Sequence, residues 1–183
     1  NQNQDQDGPG TLSPGLYCRG DNSMGQCDYP DTLFSDVFGG RFHKMDLGFH
    51  HGIATVFSDT AVVNALTYYQ FGTDLYLWGD NTYGQSLQPE IPDTSFIFMI
   101  SAGGNHNTIL IGDSLRVLGN NYDYYNYNDD SYLVPVNASL IAWGDNSYGQ
   151  CDIPDRFNQI PDNIRILDID AGKNHTIVTY DSS

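Results

Sequence analysis

The sequence predicts an all-β domain built from repeated short strands. Three observations carry that prediction. A seven-residue pattern, Gly-Asp-Asn-[Ser/Thr]-x-Gly-Gln, occurs three times, starting at Gly20, Gly79 and Gly144. A histidine-bearing segment follows each copy, and His51, His106 and His175 lie 31, 27 and 31 residues after the repeat glycine. The composition favours strands and turns: of 23 acidic residues only Glu90 is glutamate, Lys44 and Lys173 are the only lysines, and there are 19 Gly, 8 Pro and 13 Tyr. Asp and Asn prefer turns and caps, while tyrosine suits a pleated sheet. The strong helix formers Glu and Lys are nearly absent, and no window shows helical periodicity. Repetition outweighs every other signal, because equal units must share one local architecture.

Taken in order, residues 1–15 (NQNQDQDGPGTLSPG) are polar and rich in Pro and Gly, and predict a flexible arm. Residues 16–183 predict one repeat domain with corners near Gly20, Gly79, Gly119 and Gly144. LYLW (Leu75–Trp78) and IAW (Ile141–Trp143) predict strands that aim an aromatic side chain at a neighbour. The triplets Gly20-Asp21-Asn22, Gly79-Asp80-Asn81 and Gly144-Asp145-Asn146 then end a strand. Glycine accepts positive φ, and Asp and Asn side chains hydrogen-bond the amides that follow. Ser or Thr adds a local acceptor, the second glycine permits another bend, and Gln ties the loop to backbone groups. Proline then stops the ladder. Apolar stretches precede each histidine marker (HKMDLG, FIFMISAG, IRILDIDAG), and further strands follow it (TILI, TIVTY). A third strand is expected at Ala61–Val63 and at Leu115–Leu118.

The paired motifs W-G-D-N-x-x-G-Q and A-G-x-x-H-T, as in WGDNSYGQCDIP and ILDIDAGKNHTIVTYD, resemble the repeat of the regulator of chromosome condensation family, in its shorter, bacterial-type form. The resemblance covers roughly residues 16–183. It implies a β-propeller, for which the family usually uses seven four-stranded blades. Copy one departs from the motif: Arg19 stands where the tryptophan belongs, and Leu-Gly-Phe-His-His replaces Ala-Gly-x-x-His. The spacing departs too. A blade needs about 40 residues. Gly79 to Gly119 is 40, but Gly119 to Gly144 is 25 and Asn64 to Gly79 is 15. The chain then holds material for about four blades. The expectation is a propeller that is partial, shortened or completed by oligomerisation, because closure is what protects strand edges. An open, solenoid-like stack is the alternative.

Few residues look chemical. His51, His106 and His175 sit at equivalent positions in separate blades, which predicts structural histidines bonded to nearby backbone rather than a metal site. Trp78 and Trp143 are expected to pack between blades. The least repeat-like stretch, Asn120–Tyr132, carries Tyr122, Asp123, Tyr124, Tyr125, Tyr127, Asp129 and Asp130. Tyr mixed with Asn and Asp is the composition of an adaptable recognition loop, so these residues are the expected binding surface. Their carboxylates also suit calcium, but the spacing is not that of a calcium loop; the expectation is no cofactor and no metal. Cys27 and Cys151 share one repeat position, held by Ser86 in the other copy, and read first as a small, half-buried repeat residue; a Cys18–Cys27 bridge across a turn, in an oxidising compartment, is the alternative and would leave Cys151 odd. Asn137-Ala-Ser and Asn174-His-Thr are glycosylation sequons, the second inside the repeat motif.

The net charge of −16 disfavours nucleic acid and anionic membranes. The longest apolar run, FIFMI, is far short of the roughly 18 residues that span a bilayer, so membrane insertion is not expected. With neither an initiator methionine nor a signal peptide, the sequence reads as mature, processed or partial. No nucleophile elbow, phosphate loop or carboxylate pair appears, and the expectation is not an enzyme. The family resemblance implies a rigid platform for protein–protein interaction or self-assembly, extracellular or on a particle surface such as a filament or virion. Guanine-nucleotide exchange on a small GTPase and glycan binding are the alternatives.

Overall fold

A computed structural model describes residues 16–34, 41–57, 74–118 and 132–182. Ten strands and two short 3-10 turns make up its regular structure, with no α-helix among the described residues. The first sheet contains β1 (Arg41–Leu47), β2 (His51–Phe57) and β3 (Asp74–Gly79), antiparallel and in that spatial order. β4 (Phe96–Ala102) and β5 (His106–Gly112) begin the second sheet. β6 (Ser114–Leu118) and β7 (Tyr132–Val136) then pair with each other as a separate ladder. β8 (Ser139–Gly144) returns to β5, giving the order β4-β5-β8. β9 (Ile164–Ala171) and β10 (Thr176–Ser182) form a two-stranded third sheet.

The register shows that these sheets are one unit repeated. β2 meets β3 with His51 opposite Gly79 and Gly52 opposite Trp78. β5 meets β8 with His106 opposite Gly144 and Asn107 opposite Trp143. The first hairpin of each sheet closes alike, with Gly48, Gly103 and Gly172 amides donating to His51, His106 and His175 carbonyls at 2.8–2.9 Å. Each of these strand pairs also carries one register shift, at Phe42/Lys44, Ile97/Met99 and Thr179/Tyr180. A bulge raises local twist, which suits sheets that pack face to face.

β8 pairs directly with β5, so the strand that runs into Gly144 completes the second sheet, while β7, earlier in the same interval, pairs with β6 in a separate two-stranded sheet. The expected fourth corner at Gly119 lies outside the described residues, as do the strand expected at Ala61–Val63 and the arm 1–15. The described residues hold three corner-plus-sheet units. Leu115–Leu118 is a strand as expected, but its partner is β7. No sheet closes on itself among the described residues.

Three apolar clusters form the core. Ile53, Leu75 and Leu77 of the first sheet meet Ile97, Ile109 and Ile111 of the second, with Ile91 of the intervening corner. Phe98, Leu110 and Leu140 of the second sheet meet Ile166 and Ile169 of the third, with Phe157 and Ile160 of the next corner. On the far side of the first sheet, Ala54, Val56 and Trp78 are covered by Tyr29 and Leu33 of the first corner. Every corner therefore packs its apolar tail on the sheet that follows it. Full burial of a side chain such as Ile53 or Ile109 is worth roughly 2–3 kcal/mol.

Candidate functional site

Among the described residues the repeat motif builds a structural seam. Gly20, Gly79 and Gly144 take φ of 136°, 90° and 109°, so the chain turns sharply off the strand. The aspartate that follows accepts the amide two residues on: Ser23, Thr82 and Ser147 donate to Asp21, Asp80 and Asp145 at 2.9–3.0 Å. The Ser and Thr hydroxyls donate to the same carboxylates. These bonds hold all three aspartates below the usual carboxylate value, led by the Ser23 amide for Asp21 and by the Thr82 and Ser147 hydroxyls for Asp80 and Asp145.

Asn22, Asn81 and Asn146 then accept the amides of Cys27, Ser86 and Cys151 at 2.7–3.0 Å. Gln26, Gln85 and Gln150 accept the amides of Met24, Tyr83 and Tyr148 at 2.8–2.9 Å. Each loop is thus cross-braced by its own Asp, Asn and Gln. Met24, Tyr83 and Tyr148 stand exposed at the three apices.

The histidines join one sheet to the next. His51 Nε2 lies 2.9 Å from Asn107 Oδ1, and Asn107 Nδ2 donates to Gln85 O at 2.8 Å. The second bond fixes the amide orientation, so His51 must donate from Nε2. His106 Nε2 lies 3.0 Å from Thr176 Oγ1, which donates to Gln150 O at 2.9 Å. His106 therefore also donates from Nε2, which leaves Nδ1 of both rings buried without a partner. Burial pushes both imidazoles below their usual value of 6.5, so they are neutral at pH 7. Each of these two histidines bonds a side chain of the next sheet, and that side chain carries the link on to a backbone carbonyl. His175 is exposed. No three metal-ligating side chains converge among the described residues.

The tryptophans complete the seam. Trp143 Nε1 donates to Gln85 O at 3.2 Å and packs in the cluster between the first and second sheets. Trp78 Nε1 donates to Gln26 O at 2.9 Å, and its ring lies over Gly52, the repeat position of Asn107 and Thr176. A Cβ at Gly52 would lie 2.2 Å from that ring. Further bonds cross between sheets: Asp46 accepts from Ser101 Oγ and Ala102 N, and Ser101 Oγ accepts from Ala171 N.

Cys18 and Cys27 form a disulfide with Cα atoms 5.5 Å apart. Cys151 is free and half-buried, and burial pushes its thiol up to about 11. Asn137 is exposed at the β7–β8 turn with φ 50°, its Nδ2 donating to Asp113 Oδ2 at 2.9 Å. In the second sequon Asn174 is half-buried, and Thr176 spends its hydroxyl on the seam. The expected binding loop, Tyr122, Asp123, Tyr124, Tyr125, Tyr127, Asp129 and Asp130, lies outside the described residues. Sequence reasoning missed Asn107, Thr176, Gln85 and Gln150 as seam residues. Their common signal was present: a short polar residue directly after the histidine, and the glutamine that ends the corner.

No helix among the described residues is long and apolar enough to cross a membrane. No protein-family model matches the chain, and no curated protein matches it. Among solved structures it is similar to the ectodomain of the receptor kinase CR4 from Physcomitrella patens, at 14% identity and a TM-score of 0.27, over 76% of this chain and 50% of that one. The chain thus spans about half the length of that structure, and likeness at this level leaves fold and function to the geometry above.

Proposed function

We propose that this chain is a non-enzymatic repeat protein of the regulator of chromosome condensation type, with propeller blades for sheets. It serves as a platform for protein–protein interaction or structural assembly, outside the cell or on a particle surface. The observation that carries the reading is the repeated seam. Asp, Asn, Gln and His of the motif bond one another and the backbone, so they hold sheets in fixed relation. What such a frame offers a partner is its exposed corner apices, Met24, Tyr83 and Tyr148, one per repeat. The Cys18–Cys27 disulfide supports an oxidising location.

The test is chemical cross-linking with mass spectrometry on the chain in its native surroundings. Cross-links to protein concentrated at the corner loops and sheet edges are expected. Stimulated nucleotide release from a small GTPase, or a glycan-array signal lost on Tyr83→Ser and Tyr148→Ser, would overturn the reading in favour of exchange or glycan binding.

A further inference from the structure

Between β7 and β8 the chain turns at Asn137, which takes φ 50°. Glycine, Asn and Asp are the residues that visit this region routinely, so asparagine fits the turn. Its neighbours fix it from both sides. Val136 O accepts from Asp113 N at 2.9 Å, and Ala138 O accepts from Ile160 N at 2.8 Å. Ala138 is buried in the core shared by the second and third sheets. Asn137 itself is exposed, and its Nδ2 donates to Asp113 Oδ2 at 2.9 Å. An amide nitrogen therefore stands at the surface on a well-anchored turn.

Ser139 follows two residues later, so Asn137-Ala138-Ser139 is an acceptor triplet for N-linked glycan. The triplet at Asn174 is placed differently. That asparagine is half-buried. It lies between Gly172, whose carbonyl accepts from Gly104 N at 3.0 Å, and Thr176 of the histidine relay. A glycan there would stand in the seam between the second and third sheets. At Asn137 the same group meets solvent. The Cys18–Cys27 disulfide fits the oxidising compartments in which such glycans are attached.

We propose that Asn137 carries an N-linked glycan. The donor is an oligosaccharide joined to a lipid pyrophosphate. Nδ2 attacks the anomeric carbon, and a nitrogen–carbon bond forms there. The bond from that carbon to the pyrophosphate oxygen breaks, and the lipid pyrophosphate leaves with the electron pair. Nδ2 gives up one proton to a base of the transferase, and nothing is oxidised or reduced. One N–H remains on Nδ2 to donate to Asp113. The core and the seam are untouched.

The position also orients the molecule. In the second sheet Gly144 lies opposite His106, and Ser139 lies opposite Ile111. The corner loops gather at the first of these ends, where Gln85 O receives Asn107 Nδ2 and Trp143 Nε1. The Tyr83 amide donates to the same Gln85, and Tyr148 belongs to the corner that Gly144 opens. Asn137 lies at the other end, across the six residues of β8, or roughly 20 Å of strand. The glycan covers the end away from the exposed Tyr83 and Tyr148, which stay open to a protein partner. The proposal deepens the platform reading and rests on its location outside the cell.

The test is glycopeptide mass spectrometry on the chain isolated from its native source. Peptides that span Asn137 are expected to carry a glycan, and enzymatic release in heavy-oxygen water should leave a labelled aspartate at that position. A second measurement follows the 183-residue chain secreted from eukaryotic cells, as wild type and as Ser139→Ala. The variant keeps Asn137 and its bond to Asp113 but loses the triplet. Its glycan should vanish while its circular dichroism stays native. An asparagine with only a structural role would leave the two chains equal in mass apart from the substitution itself. Bare Asn137 in the native chain overturns the proposal, as does a glycan on Asn174 in its place. Either result leaves the platform reading standing, because cross-linking decides that separately. Stimulated nucleotide release would overturn the platform reading and leave a glycan found at Asn137 unaffected.

Discussion

Asn107→Ala tests whether the histidine relay holds the sheets together. Asn107 is fully buried; it receives His51 Nε2 at 2.9 Å and donates to Gln85 O at 2.8 Å. Alanine removes both bonds. Gln85 O keeps the Trp143 indole at 3.2 Å, so that acceptor stays satisfied. His51 does not: its Nδ1 is already buried without a partner, and Nε2–H would join it. A stranded buried donor costs about 1–3 kcal/mol, and a lost net hydrogen bond about 1 more. The expected loss is therefore about 2–4 kcal/mol. Asn107→Thr is the control. Threonine occupies the same place in the next sheet, where Thr176 accepts from His106 and donates to Gln150 O. A hydroxyl can make both bonds, so Asn107→Thr should cost no more than about 1 kcal/mol. Equilibrium urea unfolding, followed by tryptophan fluorescence and far-ultraviolet circular dichroism, reads both values. Equal losses in the two variants would refute the relay, because a pure packing defect does not distinguish them in this way.

Burial holds His51 and His106 below 6.5, and holds His43 at about 4, aided by Lys44. The unfolded chain thus takes up protons first as pH falls, and the urea midpoint should be level above about pH 6.5 and drop steadily toward pH 4; a flat profile would contradict the buried neutral rings. Gly52→Ala places a Cβ 2.2 Å from the Trp78 ring, so the indole must leave its site, with a red-shifted emission and a loss of about 1–3 kcal/mol. Gly144→Ala puts a side chain at φ 109° and 2.4 Å from Asn105 O, and should cost about 1–3 kcal/mol or more in the same unfolding assay. Reducing Cys18–Cys27 opens a crosslink of separation nine, worth at most about 3 kcal/mol by chain entropy. Cys151 should alkylate slowly at pH 7, because burial keeps it a thiol.

The repeat was legible because its signals are local. Gly-Asp-Asn with Gly-Gln encodes one loop, and in all three copies its Asp, Asn and Gln accept the same backbone amides, even where Arg19 has replaced the tryptophan. The strands at Leu75–Trp78, Ile141–Trp143 and around each histidine were legible for the same reason, through apolar runs bounded by turn residues. The sheet that each strand joins was not. Spacing treats the 25 residues before Gly144 as a short repeat, but whether β8 begins a sheet or completes one is decided by its pairing with β5, a contact between distant residues. The histidine partners were hidden likewise. His51 and Asn107 are 56 residues apart, and only the stacking of sheets brings them together.

Gly52 shows how the relay and the tryptophan are connected. A sheet needs a short polar residue after its histidine only if another sheet's histidine precedes it. The second and third sheets meet that condition, with Asn107 and Thr176. The first sheet has glycine there, and the Trp78 ring fills the space. Glycine is also the residue that Trp78 requires, so no single substitution at position 52 can add the relay without first displacing the indole.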